Sequence, residues 1–254
     1  MSGTERSGFS GAIFDVDGVL VDSPHEEAWR ESLRELMEGP WSDIVAQTSY
    51  TPEKFTPALY HERMSGKPRK AGATAALEYF GVPDIDRRVQ EYGEYKQEMI
   101  IRLISGGRFS AYDDAVQFVV DVKQSGIPIA AASSSKNAKL FLERVDLSRF
   151  GAEGNLHGYF DVDVSGRDFA QGKPNPEIFL TAASELGVDP ANAFVAEDAV
   201  NGIQAAKAGG FGALGVSRAD DVDALAAEGA DVVVTDMGTI DLSALARGEL
   251  VTKS

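Results

Sequence analysis

Asp15 and Asp17 stand two residues apart and are followed by Gly18. One such carboxylate can attack an electrophile while the other carries a proton, and both can help to hold a divalent cation. Alone, Asp-x-Asp-Gly is common at strand-to-turn corners, where Asp and Gly serve turn chemistry only. A second acid pair, Glu197-Asp198, also follows a short apolar run. Adjacent acids repel without a cation, and an all-oxygen site suits Mg²⁺. An acid at a helix start, favoured by the helix dipole, accounts for one of the pair, but not for acids ending two separate strands. Lys173 lies in Gly172-Lys173-Pro174-Asn175-Pro176, where the prolines stiffen the loop that aims its ammonium. A lone lysine is ordinarily a solvated surface residue. Ser133-Ser134-Ser135 offers hydroxyls and backbone N–H groups at the start of a helical stretch, either an anion cradle or ordinary N-capping.

These groups need a scaffold that brings strand ends together. Residues 11–14 read as a short buried strand, with further strands over 127–132, 161–164, 193–196, 214–216 and 232–234. Helices are predicted over 136–145, 176–186, 200–208 and 222–227, and residues 117–123 close another helical stretch that ends at Gly126. Repeated βα units imply an α/β fold, a Rossmann-like doubly wound parallel sheet with ligands bound at the carboxyl ends of its strands. The stretch after the first strand differs. It has helical patterns over 26–37, 73–80 and 85–104, separated by Gly39-Pro40, Thr56-Pro57, Gly66 and Pro68, and no strand pattern. The expected organisation is a catalytic core of residues 1–22 and 109–254, with an inserted all-helical cap domain over 23–108.

Composition narrows the partners. The 254 residues are 43% hydrophobic, enough for a sizeable core. No apolar run reaches the length of about 18 residues that a membrane span needs, and residues 1–10 lack the apolar stretch of a secretory signal. A cytoplasmic protein without membrane partners is expected. The absence of cysteine excludes disulfides and thiolate metal sites. The net charge of −16, from 24 basic and 40 acidic residues, argues against nucleic acid. It also repels anions, so a site for a phosphorylated substrate must carry its own cations. Nothing in the sequence demands a dimer, and a monomer is expected.

Taken in order, Asp15-Val16-Asp17-Gly18-Val19, Ser133, Lys173-Pro174 and Glu197-Asp198 resemble the motifs of the haloacid dehalogenase superfamily of phosphotransferases. The insertion between the first and second motifs falls where helical-cap members carry their cap. The resemblance implies that Asp15 is the nucleophile, forming an aspartyl phosphate, and that Asp17 is the general acid and base. Mg²⁺ would be held among Asp15, Asp17, Glu197 and Asp198, with Glu197 orienting metal-bound water. Ser133, Ser134 and Lys173 would hold the phosphoryl oxygens. Such chemistry is mostly positioning and charge neutralisation.

Finer features resemble the β-phosphoglucomutase family within that superfamily. Ser133-Ser134-Ser135-Lys136-Asn137-Ala138 is similar to its second motif, where Lys136 and Asn137 would contact substrate. Met64-Ser65-Gly66-Lys67-Pro68-Arg69 resembles its cap segment, where Arg69 would grip a distal phosphate. Ser23 and His25 fall in the hinge after the first motif, His25 closer to the nucleophile than the family's hinge histidine. The family's further cap lysine has no counterpart in register, although Lys96 lies nearby. Each residue also has a plainer reading: Arg69 in a solvated basic patch, Lys136 as an exposed first-turn residue, His25 as a surface histidine. Three functions follow from the resemblance. The first is a mutase converting a hexose 1-phosphate to its 6-phosphate through a bisphosphate. The second is a phosphatase acting on a small phosphorylated metabolite, and the third an inactive protein that binds a phosphorylated ligand.

Overall fold

Gly11–Phe14 (β1) is a run of four fully buried residues, the pattern of a strand covered on both faces. A computed structural model describes residues 8–64 and 67–253 and places β1 inside a six-stranded parallel sheet. The other strands are Ile129–Ala131 (β2), Val162–Asp163 (β3), Ala193–Glu197 (β4), Gly212–Val216 (β5) and Val232–Val234 (β6). Their spatial order is β3-β2-β1-β4-β5-β6. The chain builds outward from β1 on one side and then crosses to the other, so the sheet has a switch point beside β1. In open α/β sheets the ligand crevice lies there, beyond the carboxyl ends of the strands.

Register sets what reaches that crevice. Phe14 pairs with Ala131 of β2 and with Ala196 of β4. Asp15 and Glu197 are therefore each one residue past that row, and Ser133 two. Alternation sends Ile13, Ala130 and Val195 to one face, against Ile178 and Phe179 of the helix Glu177–Leu186 and Ile203 of the helix Val200–Ala208. Phe14 and Phe194 face the other way and meet Phe118 of the helix Asp113–Gln124, with ring centroids 6.2–6.3 Å apart. Both faces are thus sealed with apolar side chains.

Some elements differ from the sequence expectation for visible reasons. The helix predicted over 136–145 is only Ala138–Leu142, because residues 133–137 turn on serine hydroxyls instead. The helical stretch that residues 117–123 close begins at Asp113, where two acids suit a helix N-terminus. A two-stranded antiparallel ribbon, Val21–Asp22 against Ser110–Ala111, was not anticipated.

Contacts divide the chain into two units, Met1–Ser23 with Ser110–Ser254, and Pro24–Phe109. The second unit is built from the helices His25–Glu38, Pro57–Arg63, Arg69–Tyr79 and Ile85–Ser105. Trp29, Leu33, Leu36 and Met37 form the apolar stripe of the first of these, packed with Leu77, Phe80 and Tyr92. The Tyr92 hydroxyl donates to the Trp29 carbonyl at 2.9 Å, so the buried phenol is satisfied. Thr56 caps the helix that Pro57 opens, its hydroxyl accepting from Leu59 N–H at 3.2 Å. Arg69–Tyr79 begins directly after Pro68, four residues before the predicted start. Ser65 and Gly66 of the segment 64–69 lie outside the described residues. Among the described residues no helix is long and apolar enough to cross a membrane.

Candidate active site

At the carboxyl edge of the sheet, Lys173 stands between two acids. Its ammonium contacts Asp15 Oδ1 at 2.5 Å and also donates to Glu197 Oε1. Asp15 is 6% exposed and Glu197 1%. The loop that delivers Lys173 passes through a cis Lys173–Pro174 bond into the helix Glu177–Leu186. Asn175 Oδ1 accepts from Glu177 N–H at 3.0 Å and so fixes the entry to that helix. The other oxygen of Glu197 accepts from Ala199 N–H at 3.1 Å. Both carboxylate oxygens of Glu197 are therefore engaged within the protein.

Asp198, next in sequence, points its carboxylate over Gly18. A β-carbon built at position 18 would lie 1.9 Å from Asp198 Oδ2, and the Gly18 φ of +85° is one that side-chain-bearing residues rarely adopt. The glycine after the two aspartates therefore has a spatial reason: it lets a carboxylate from β4's end approach the turn. A similar approach occurs at Gly202, where a β-carbon would lie 2.0–2.2 Å from the Glu197 carboxylate.

Ser133 is 2% exposed. Its hydroxyl lies 3.3 Å from Asp17 Oδ2, to which it donates, and accepts from Ser135 N–H at 3.1 Å. Its own N–H donates to the Ser165 hydroxyl at 3.1 Å, and its carbonyl accepts from Gly166 N–H at 2.8 Å. Ser133 and Asp17 are thereby joined, and the loop after β3 clamps Ser133 from behind.

The electrostatics follow from crowding acids where water is scarce. Burial raises the Asp15 pKa to about 7, with Glu197 and Asp17 adding to the rise and Lys173 opposing it. Asp198 is pushed well above the usual aspartate value, first by burial and then by Glu197 and Asp15, again against Lys173. Burial alone would lower the Lys173 pKa, but Asp15 and Glu197 outweigh it and hold the ammonium protonated.

These observations test a cation site. Among the described residues, no three acidic or histidine side chains converge so as to cage a metal. The four expected ligands, Asp15, Asp17, Glu197 and Asp198, therefore do not close into a side-chain cage, and Glu197 is taken up by Lys173 and Ala199 N–H. Mg²⁺ does not require such a cage, because it usually takes one or two carboxylates and completes its shell with water and substrate phosphate. Asp15 and Asp198 fit that description. They are hard oxygen donors in a buried site, where burial first and the neighbouring acids after it raise their pKa values.

The remaining expected residues are spread more widely. Ser134 is exposed, Asn137 is buried, and the exposed Lys136 pairs with Asp168 at 2.8 Å. Ser23 is half-buried at the end of its chain segment in the first unit. In the helical unit, the buried Lys96 places its ammonium 3.1 Å from His25 Nδ1 and 5.4 Å from the Trp29 ring centroid. Lys96, out of register in sequence, is thus brought to His25 by the packing of two helices. Arg69 is exposed, donates to Gln97, and runs its stem over Gly93. Sequence reading missed Ser165, Gly166 and Gly202. Of these, Gly202 carried a signal, since glycine in a helix costs about 1 kcal/mol relative to alanine and needs a reason to be there.

A family model for haloacid dehalogenase-like hydrolases matches residues 9–210. The chain is 31% identical over 247 residues to a β-phosphoglucomutase of Mycobacterium bovis, covering 90% of each chain. It is 30% identical over 228 residues to a validoxylamine A 7′-phosphate phosphatase of Streptomyces hygroscopicus subsp. limoneus, covering 89% of this chain and 93% of the relative. Among solved structures, an archaeal β-phosphoglucomutase from Pyrococcus sp. strain ST 04 superposes with a TM-score of 0.70 at 29% identity, over 92% of this chain and 97% of the other.

Proposed function

This chain belongs to the haloacid dehalogenase-like hydrolases, and we propose that within them it is a Mg²⁺-dependent β-phosphoglucomutase, interconverting β-glucose 1-phosphate and glucose 6-phosphate through a bisphosphate. That it is a phosphotransferase or phosphatase of this family rests on the match itself and on relatives of both kinds. The observation that carries the chemical reading is Lys173, whose ammonium joins Asp15 to Glu197 at the switch point of the sheet.

Asp15 is the nucleophile. Its carboxylate oxygen attacks phosphorus, the bond from phosphorus to the sugar oxygen breaks, and Asp17 donates the proton that the departing oxygen takes up. In the return direction Asp17 removes a proton from the attacking hydroxyl, and the Asp15–phosphorus bond breaks. Lys173 and Ser133 neutralise and orient the equatorial phosphoryl oxygens, on which catalysis of this reaction chiefly depends. The Asp15 and Asp198 carboxylates, with the Asp17 main-chain carbonyl, would hold Mg²⁺, which would add positive charge beside those oxygens. Glu197 holds Lys173 in place. In the helical unit Arg69, steadied by Gln97, takes the second phosphate of the bisphosphate, a task suited to a planar guanidinium.

The phosphatase reading is kept because a phosphatase of similar identity stands among the relatives. In it, water rather than a sugar hydroxyl discharges Asp15. The two are separated by incubating the protein with β-glucose 1-phosphate, Mg²⁺ and a trace of glucose 1,6-bisphosphate, and following phosphorus NMR beside an Asp15→Asn control. Glucose 6-phosphate that fails to form in the control supports the mutase. Inorganic phosphate in its place makes the protein a phosphatase.

A further inference from the structure

Asp17 rides on a turn that closes on itself. Val16 carbonyl accepts from both Leu20 and Val21 N–H at 2.9 and 3.0 Å, and Gly18 N–H donates to Val21 carbonyl at 2.8 Å. A turn so small moves as one piece, so its attachments to the rest of the sheet decide where Asp17 points. Tyr112 N–H donates to Leu20 carbonyl at 2.9 Å. Besides the Ser133 hydroxyl on Asp17 and the Asp198 carboxylate on Gly18, a further attachment is Arg218, two residues past the end of β5 and far from any motif.

The Arg218 guanidinium lies 4.1 Å from the Tyr112 ring centroid. It donates to Val19 carbonyl at 3.4 Å, to Thr235 carbonyl at 3.1 Å and to Asp114 at 3.0 and 3.2 Å. Asp114 in turn accepts from Met237 N–H at 2.9 Å. Side chains of the pair are only 16% and 21% exposed. Arginine suits this post because one flat fork can stack on a ring and bond several carbonyls at once. Lysine would keep the charge and lose the fan of donors.

We propose that Arg218, held by Asp114 and Tyr112, is a positioning residue for general acid–base catalysis, aligning the turn that carries Asp17. The inference rests on Asp17 being the acid and base, as above. Its signature is selective. A sugar oxygen leaving phosphorus needs the Asp17 proton, whereas nitrophenolate leaves without one. In both cases the same Asp15–phosphorus bond forms and the same kind of phosphorus–oxygen bond breaks.

The test is single-turnover kinetics of Asp15 phosphorylation at saturating Mg²⁺, with β-glucose 1-phosphate and para-nitrophenyl phosphate, for wild type, Arg218→Met, Arg218→Lys, Asp17→Asn and Asp15→Asn. Arg218→Met is expected to slow the sugar phosphate by about 10–100-fold, the scale of a misaligned acid, and to leave nitrophenolate release within about twofold. Asp17→Asn should show the same split more strongly, and Arg218→Lys should recover part of the loss. Equal losses on both substrates, or none on either, overturn the proposal. If Arg218→Met does not fold, Asp114→Asn replaces it, since its amide oxygen can still accept from Met237 N–H. It must then show the same split at a severalfold level, and its absence overturns the proposal. A wild-type protein inert to both esters, or an Asp15→Asn variant as active as wild type, removes the underlying reading instead.

Discussion

The Asp198 carboxylate rests directly on the α-carbon of Gly18, leaving 1.9 Å where a β-carbon would have to go. Two motifs separated by most of the chain are thus in van der Waals contact through a missing side chain. Gly18→Ala should therefore do two things. It forces a left-handed φ on an L-residue, at about 1–2 kcal/mol, and it evicts Asp198. The expected outcome is at least about a hundredfold loss of turnover, with Mg²⁺ affinity weakened in isothermal titration. A fully active Gly18→Ala protein would mean that Asp198 does not work from this position.

Gly202 offers the converse case. A methyl group there collides with the Glu197 carboxylate at 2.0–2.2 Å, yet alanine is the better helix former by about 1 kcal/mol. Backbone and site are thus pulled in opposite directions. Gly202→Ala is expected to keep Tm within a few degrees of wild type while activity falls about tenfold or more, because Glu197 can no longer hold Lys173. Circular-dichroism melts beside initial rates read both quantities on one preparation.

The convergence of Asp15, Ser133, Lys173 and Glu197 was legible in the sequence because three of them follow or end short apolar strands, and parallel strands in one sheet share a carboxyl edge. What could not be read depends on register and on loops. Ser165 reaches Ser133 only because β3 lies beside β2, and Gly166 fits only because the chain turns left-handed at that point, at φ +69°. Arg218 has no motif around it, and its partners Val19, Tyr112 and Asp114 come from remote stretches. Lys96 meets His25 through the packing of two helices whose pitch does not show in a linear spacing.

Removing the cation should expose the strain among the acids. Lys173→Met leaves Asp15 and Glu197 buried without their shared ammonium, a class of change that costs about 3–5 kcal/mol. We expect a large fall in the denaturant midpoint and loss of phosphorylation. Adding Glu197→Gln to it should restore much of the stability and none of the activity. If the double variant melts no higher than the single one, like-charge repulsion is not what Lys173 relieves.

Asp15 also makes metal-free stability depend on pH, with a definite sign. Burial, Glu197 and Asp17, against Lys173, raise its pKa from the ordinary 3.8 to about 7 when folded. A carboxyl raised on folding opposes the folded state most strongly above pH 7. That opposition fades as pH falls through 7 and vanishes below the unfolded value. Lys173 stays charged throughout this range and adds no slope. In chelator, the Tm of wild type relative to Asp15→Asn should therefore climb by roughly 5–10 °C between pH 8 and pH 5, because about 2–3 kcal/mol of opposition is relieved and each kcal/mol moves Tm by ~2–4 °C in chains of this size. Mg²⁺ should flatten the climb, since it binds the ionised form. A flat difference in chelator would show that Asp15 is ionised without penalty.

Arg69 separates the two enzymatic readings from the helical side. Its guanidinium is exposed, is held on Gln97, and has its stem on Gly93, so it is presented rather than buried. A mutase must bind a second phosphate on its intermediate, whereas a phosphatase has one phosphate to hold, which the proposed reading places on Asp15. Arg69→Ala is thus expected to lower isomerisation of β-glucose 1-phosphate by about a hundredfold, and to raise the concentration of glucose 1,6-bisphosphate needed for half-maximal rate. Single-turnover release of nitrophenolate, which requires no second phosphate, should stay near wild type. Charge-assisted contacts of this kind are worth about 1.5–3 kcal/mol each, so the loss of a bidentate pair accounts for the expected factor. If isomerisation and nitrophenolate release decline together, Arg69 supports the fold of the helical unit rather than the second phosphate. If neither changes, the bisphosphate is held elsewhere.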